Sequence, residues 1–305
     1  MQNIYIGEFI RQRRKELNLS QEDLAYGICE VSTLSRIENG RCTPSRLKIN
    51  ALLQRLGLPE ERYYAIVSKN EKEIEALKKE IVACNVMHQP QKGYELLEQL
   101  EKICEPDDFL TKQLILRSRI LLGNLDGSIT EQKQIELLLQ AIKITIPDFS
   151  IDRINGFLYT FDEIKIINQL ANIYSNTNET TIAIQIFIQL IKYIEKHFHE
   201  IILKGDGMFP MVLHGYARTL DLAKRYQESL DITEKGKRVC INYGNYQFLP
   251  GFIALAAEDY YFLGEMEKSK ECYTGAYYLY KAFEDKEALS ILCADAKKHL
   301  NLEFL

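Results

Sequence analysis

Apolar residues recur every three to four positions along almost the whole chain, and the strict alternation of a half-buried strand is nearly absent. The pattern predicts an all-helical protein. Its most informative stretch is 20–40, SQEDLAYGICEVSTLSRIENG. Ser20 precedes polar Gln21, Glu22 and Asp23 and then an apolar stripe of Leu24, Ala25 and Ile28, the order of a capped helix start. After a break at 28–30, Val31, Leu34 and Ile37 resume at helical spacing, with Ser32, Thr33, Ser35 and Arg36 on the other face. Asn39 and Gly40 close this second helix, since glycine tolerates the left-handed backbone needed there. A helix over 5–17 precedes the pair, with Ile6, Phe9, Ile10 and Leu17 on one face. Another over 46–56 follows, carrying Leu47, Ile49, Leu52, Leu53 and Leu56. Pro44 is expected in the first turn of that last helix, and Gly57 and Pro59 after its end.

From about Tyr63 the character changes to long amphipathic helices separated by short polar breaks. Pairs are predicted at 71–88 with 91–104, 108–122 with 130–145, 161–176 with 179–198, 208–223 with 226–242, and 249–263 with 265–282, and a last helix at 286–299. Small residues recur in register. Ala171, Tyr174 and Ala183 are spaced three then nine; Ala217, Leu220 and Ser229 repeat the spacing, as do Ala257, Tyr260 and Ser269. Ile81, Cys84 and Gly93 form a looser copy, and the second pair has none. The spacing resembles the tetratricopeptide repeat, in which small residues let neighbouring helices approach closely; HEAT-type pairs are the alternative. The units stand about 40–46 residues apart, so these helices are longer than that family's.

Small hydrogen-bonding side chains and one Arg on a short exposed helix suit the major groove of DNA. Arg14, Leu17, Ser20, Gln21, Leu24, Ala25, Leu34, Ser35, Ile37, Glu38 and Gly40 carry a resemblance to the lambda-repressor-like, Cro/XRE-type family of helix-turn-helix domains. The chain departs from that pattern twice. Ile28 stands where the family has the turn glycine, with Gly27 one place earlier, and Glu30 stands where it prefers a Ser or Thr cap. The resemblance implies that Arg14 pairs with Glu38 and braces the two helices. The expected fold is all-α: an N-terminal lambda-repressor-like helix-turn-helix domain over 1–62, followed over 63–305 by a tetratricopeptide-like α-solenoid of about five helix pairs and a C-terminal helix.

The net charge of −5 argues against a protein that coats nucleic acid without selectivity, but it hides an asymmetry. Residues 1–62 hold ten Lys/Arg against eight Asp/Glu, leaving 28 against 35 in the remainder. A mildly basic head on an acidic body fits a head that meets phosphates. No basic segment with a long apolar run opens the chain and no stretch is apolar enough to span a bilayer, so a cytoplasmic protein without membrane contact is expected. The seven cysteines, at 29, 42, 84, 104, 240, 272 and 293, form no CxxC pair and read as reduced thiols. Enzyme signatures are missing. Gly205-Asp206-Gly207 is a linker with no strand before it, and His197 and His199 fall on different faces of a helix, which separates them as metal ligands. No cofactor, metal or catalytic group is expected.

A head of this type on a helical solenoid resembles the Rgg/PlcR class of peptide-sensing, quorum-sensing bacterial transcription regulators. The resemblance implies a homodimer on double-stranded DNA, with a short signalling peptide bound in the concave groove of the repeats. It implies DNA contacts from Gln21, Ser32, Thr33, Ser35 and Arg36 in the groove and from Asn39, Arg41, Arg46 and Lys48 to phosphate. In the family's geometry the peptide face falls on Arg119, Lys165, Asn168, Asn172, Asn176, His214, Arg218, Glu258 and Tyr261. The row Asn168, Asn172, Asn176 stands out, because Asn is a poor helix former and an amide ladder suits an extended backbone. The alternative function is a DNA-tethered scaffold that docks a protein partner.

Overall fold

The computed structural model describes residues 6–42, 44–58, 69–198 and 207–304. The expected domain boundary at 62, Pro59, His199 and most of the Gly205-Asp206-Gly207 linker lie outside them. Among the described residues every regular element is helical. The head consists of α1 (Ile6–Glu16), α2 (Gln21–Ala25), α3 (Val31–Glu38) and α4 (Arg46–Arg55). Then follow α5 (Lys69–Val86), α6 (Pro90–Ile103), α7 (Phe109–Leu125), α8 (Glu131–Thr145), α9 (Phe161–Asn176) and α10 (Thr180–His197). The last five are α11 (Met208–Leu222), α12 (Tyr226–Tyr243), α13 (Leu249–Phe262), α14 (Met266–Ala282) and α15 (Lys286–Leu300). Short 3-10 segments at Ile151–Gly156, kinked at Arg153, and at Tyr246–Phe248 were not foreseen from the periodicity. The chain forms two compact units, Met1–Ile173 and Tyr174–Leu305.

In the first unit, Ile10, Leu24, Leu34, Ile37, Ile49, Leu52 and Leu53 meet in one small core, each almost fully removed from water. The start of α2 is fixed by a reciprocal cap: Asp23 N donates to Ser20 Oγ at 3.0 Å and Ser20 N to Asp23 Oδ2 at 2.9 Å. The turn differs from the sequence expectation. Helix α2 closes at Ala25, three residues before Ile28, because Gly27 takes the left-handed backbone (φ +67°) and turns the chain. Ile28 is thereby freed to enter the head core, where it is buried. Glu30 makes no side-chain cap to α3. Pro44 also differs: Ser45 is the cap of α4, its Oγ accepting from Lys48 N at 3.3 Å, so the proline sits outside the helix rather than in its first turn. Beyond the head, Ile74, Leu77, Ile81, Leu97, Leu100, Ile115 and Leu122 form a second core between α5, α6 and α7.

In the second unit the three-then-nine register has a physical meaning. Ser229 Oγ donates to Ala217 O at 3.0 Å, and Ser269 Oγ donates to Ala257 O at 2.7 Å. The same buried bond thus ties α11 to α12 and α13 to α14, with alanine providing the space and serine the donor. The tight connections Asn178, Lys224, Gly264 and Glu284 all take the left-handed backbone that ends one helix and allows the next to return. The helices of this unit close with a core of Ala257, Tyr273, Ala276, Tyr277, Leu292 and Ala296. No described helix is long and apolar enough to cross a membrane.

Candidate nucleic-acid interface and ligand cavity

Helix α3 presents Ser32 and Arg36 outward while Leu34, Ile37 and Glu38 face the head core. Its position is set by Arg14 of α1. Arg14 Nε donates to Glu38 Oε1 at 2.7 Å and Nη2 to Oε2 at 3.0 Å, while Nη1 donates to Leu19 O at 2.7 Å. Such a bidentate pair fixes the angle between two helices as well as their distance. Gln21 Nε2 adds a third donor to Glu38 Oε2 at 2.7 Å. Burial works to raise the Glu38 pKa, but the hydrogen bonds from Arg14 and Gln21 and the Arg14 charge outweigh it, so the carboxyl stays below its ordinary value. Gln21 therefore spends its amide on the brace. Asn39 Nδ2 caps its own helix at Ser35 O, 2.7 Å. Thr33 and Ser35 are half-buried on the flank of α3, Arg41 is exposed beyond its end, and Arg46 and Lys48 are half-buried at the start of α4.

Sequence reasoning missed a second buried constellation in the same unit. Arg55, the last residue of α4, is buried, donates to the carbonyls of Leu24 and Tyr26, and reaches Glu163 Oε1 at 3.3 Å. Glu163, fully buried in the first turn of α9, also accepts from Thr145 Oγ1 at 2.5 Å and, on Oε2, from Thr160 N at 2.6 Å. Gln113 Nε2 continues the chain to Thr145 Oγ1 at 2.7 Å. Around this network Tyr26 Oη donates to Asp148 Oδ2 at 2.7 Å, and Phe161 N to Gln54 Oε1 at 2.9 Å. A side chain at Gly27 would overlap the Thr145 carbonyl. The turn of the helix-turn-helix is therefore seated directly on α8 and on the start of α9.

The expected peptide-face residues fall in both units. Arg119 pairs with exposed Glu101 at 2.7 Å and lines a cavity with Cys104 and Lys112. Lys165 pairs with Asp162 at 3.3 Å beside Gln54 and Gln113. The asparagine row is not a free ladder: Asn172 Nδ2 turns back to Asn168 O at 2.9 Å, the common fate of a short polar side chain inside a helix. Asn168 is buried, and Asn176 accepts from Arg218 Nη1 at 2.9 Å. Tyr261 stacks on His299 with centroids 4.4 Å apart. His214, Arg218 and Glu258 do share a site. They line a cavity of about 460 Å³ in the second unit together with Asp221, Tyr273 and Asp295. Burial, and then the Arg218 charge, lower the His214 pKa, which leaves its ring neutral. Burial and the charges of Asp221 and Asp295 push Glu258 up to about 7. Among the described residues no group of three His, Cys, Asp or Glu is placed to hold a metal ion.

These features define an all-α protein with a helix-turn-helix DNA-binding head joined to tetratricopeptide-like helix pairs. Comparison with known proteins agrees. Residues 6–63 match the family model of a helix-turn-helix domain. Solved structures extend the likeness to the whole chain. Bacillus thuringiensis PlcR, in complex with the peptide PapR7 and DNA, is similar over 98% of this chain and 99% of its own, at 19% identity and a TM-score of 0.62. The Streptococcus dysgalactiae SHP pheromone receptor Rgg2 is similar over 97% of this chain and 100% of its own, at 14% identity and a TM-score of 0.52. The apo form of the competence regulator ComR from Streptococcus vestibularis covers 97% of this chain and 98% of its own, at 17% identity and a TM-score of 0.51. The chain thus resembles the Rgg/PlcR class in fold from end to end. No curated protein matches it by sequence.

Proposed function

We propose that the protein is a cytoplasmic, sequence-specific transcription regulator that binds a two-fold symmetric DNA site as a homodimer, with residues 1–62 as the reading head. Residues 63–305 bind a short peptide signal and pass its presence to that head. Arg36 reads a base, Ser32, Thr33 and Ser35 line the groove, and Arg41, Arg46 and Lys48 meet phosphate. One observation carries the reading: α3 offers Ser32 and Arg36 to solvent on a head held rigid by the Arg14–Glu38 pair. The likeness to PlcR, solved with both a peptide and DNA, supports the ligand side. So does the cavity around His214, Arg218 and Glu258, whose size suits a side chain or two of a bound peptide.

The test is selection of DNA from a random pool by the full chain, with sedimentation of the same preparation. A dimer that enriches an inverted repeat is expected. Arg36→Ala should weaken binding to that repeat by about 1–3 kcal/mol and relax one position in each half-site. A chain that enriches no sequence, with or without a peptide pool present, would overturn the proposal.

A further inference from the structure

We propose that the cavity of the second unit is a receptor for a cation, and that the group it takes is the alkyl-ammonium or guanidinium of a Lys or Arg side chain on a bound peptide. The inference rests on the peptide-binding reading above and adds the chemical class of the ligand.

Three carboxylates, Asp221 of α11, Glu258 of α13 and Asp295 of α15, line the cavity. Arg218, the one guanidinium among its described lining residues, acts on Asp221 and Glu258 through its charge but spends a hydrogen bond on Asn176 at 2.9 Å. Asp221 is 8% exposed and its Oδ1 is buried without a hydrogen-bond partner. Asp259, fully buried, stands beside it, and the two carboxyls are hydrogen-bonded to each other with the Ser229 hydroxyl alongside. The neighbouring hydroxyl, Ser229, donates to Ala217 O at 3.0 Å. A buried carboxylate without a cation is costly, and a chain normally supplies the missing partner itself. Here the partner given to each acid is the other acid rather than a cation.

The alternative to a ligand is protonation, and the unliganded site uses it. Burial raises the pKa of Asp221 and of Asp259, and the two carboxyls are close enough to share a proton. A proton, however, leaves most of the cavity unfilled. The remaining wall includes Leu255, Ile291, Leu292 and Tyr280, an apolar lining suited to a methylene stem that ends in a charged head. Bare metal ions fit poorly, because the carboxylates are not grouped as a metal-ion set.

The test pans the immobilised full chain against a randomised octapeptide pool and, separately, follows its thermal unfolding with added agmatine, a guanidinium on an alkyl amine. The variants are Asp221→Asn and Glu258→Gln, each accepted only if its helical circular dichroism matches the parent. Retained peptides rich in Lys or Arg, with affinity falling about tenfold or more in both variants, would bear out the inference. Retained peptides with no basic preference, or unaffected by both substitutions, would overturn it while leaving peptide binding intact. If no peptide is retained but agmatine raises the melting temperature of the parent and not of the variants, the cation site stands and the peptide reading falls. If neither probe binds, both fall.

Discussion

Two groups of buried carboxylates set the two units of this protein apart. In the first unit Glu163 is fully buried, yet both its oxygens are occupied: Arg55 and Thr145 reach Oε1 and the Thr160 amide reaches Oε2. In the second unit Asp221 and Asp259 are buried against each other, and the partner each has is another acid. Where the chain supplies its own cation and donors, the acid holds two structural elements together. Where it sets acid against acid, the pair is left without a bonded cation, a place we assign to a ligand. Burial alone does not distinguish the two; the inventory of donors does.

The comparison breaks most sharply if the first site is made to resemble the second. Arg55→Met leaves Glu163 buried without its cation, and breaking a buried pair from one side costs about 3–5 kcal/mol. Urea unfolding of the full chain should show a loss of that size, and Glu163→Gln should approach it from the other side. The double variant should lose much less than the sum, because no unpaired charge then remains. If the two losses simply add, the pair is not the unit described here.

How much of this was legible in the sequence follows the same division. The helices and their pairing were readable because they rest on local periodicity, and the described ends fall within a few residues of the predicted ones. The register of Ala217 with Ser229 and Ala257 with Ser269 was readable because a short spacing repeats. Arg55 and Glu163 were not, since they are 108 residues apart and no local pattern joins them. Thr160-Phe-Asp-Glu163 does carry a capping-box spacing, but such a box predicts only a helix start, not a salt bridge to a distant head. Gly27 was visible as a departure from the family turn. Its reason, the close approach of Thr145, lies in tertiary structure. In the asparagine row, spacing gives the face of the helix but not that the Asn172 amide bonds back to its own backbone.

A smaller effect separates the serine ties from the acid site beside one of them. Ser269→Ala removes one buried hydroxyl bond to Ala257 O and should cost about 0.5–1.5 kcal/mol. Ser229→Ala removes the equivalent bond to Ala217 O, but this hydroxyl also neighbours Asp259. If Ser229 serves only the helix pair, the two losses should match in urea unfolding. A clearly different loss at 229 would show that the hydroxyl is part of the acid site.

The smallest effect is a slope. Glu258 carries its proton up to about pH 7, against an ordinary value of 4.5, mainly because burial and then Asp221 and Asp295 oppose its charge. Between those two values the folded chain holds a proton that the unfolded chain has released, so stability must fall as pH rises. The contribution is fully present below about 4.5 and gone above about 7. Asp221 and Asp259 act in the same direction; the charges facing this group from the other helices, Arg218 of α11 and Lys298 of α15, temper it. Melting temperature measured across that window should therefore decline with rising pH, and Glu258→Gln, which cannot titrate, should flatten part of the decline. The paired carboxylate of the first unit offers the control, since Glu163→Gln should lower stability without removing this slope. A parent whose stability rises through the window would mean that the second unit's acids are ionised and partnered by cations after all, and the contrast between the two units would collapse.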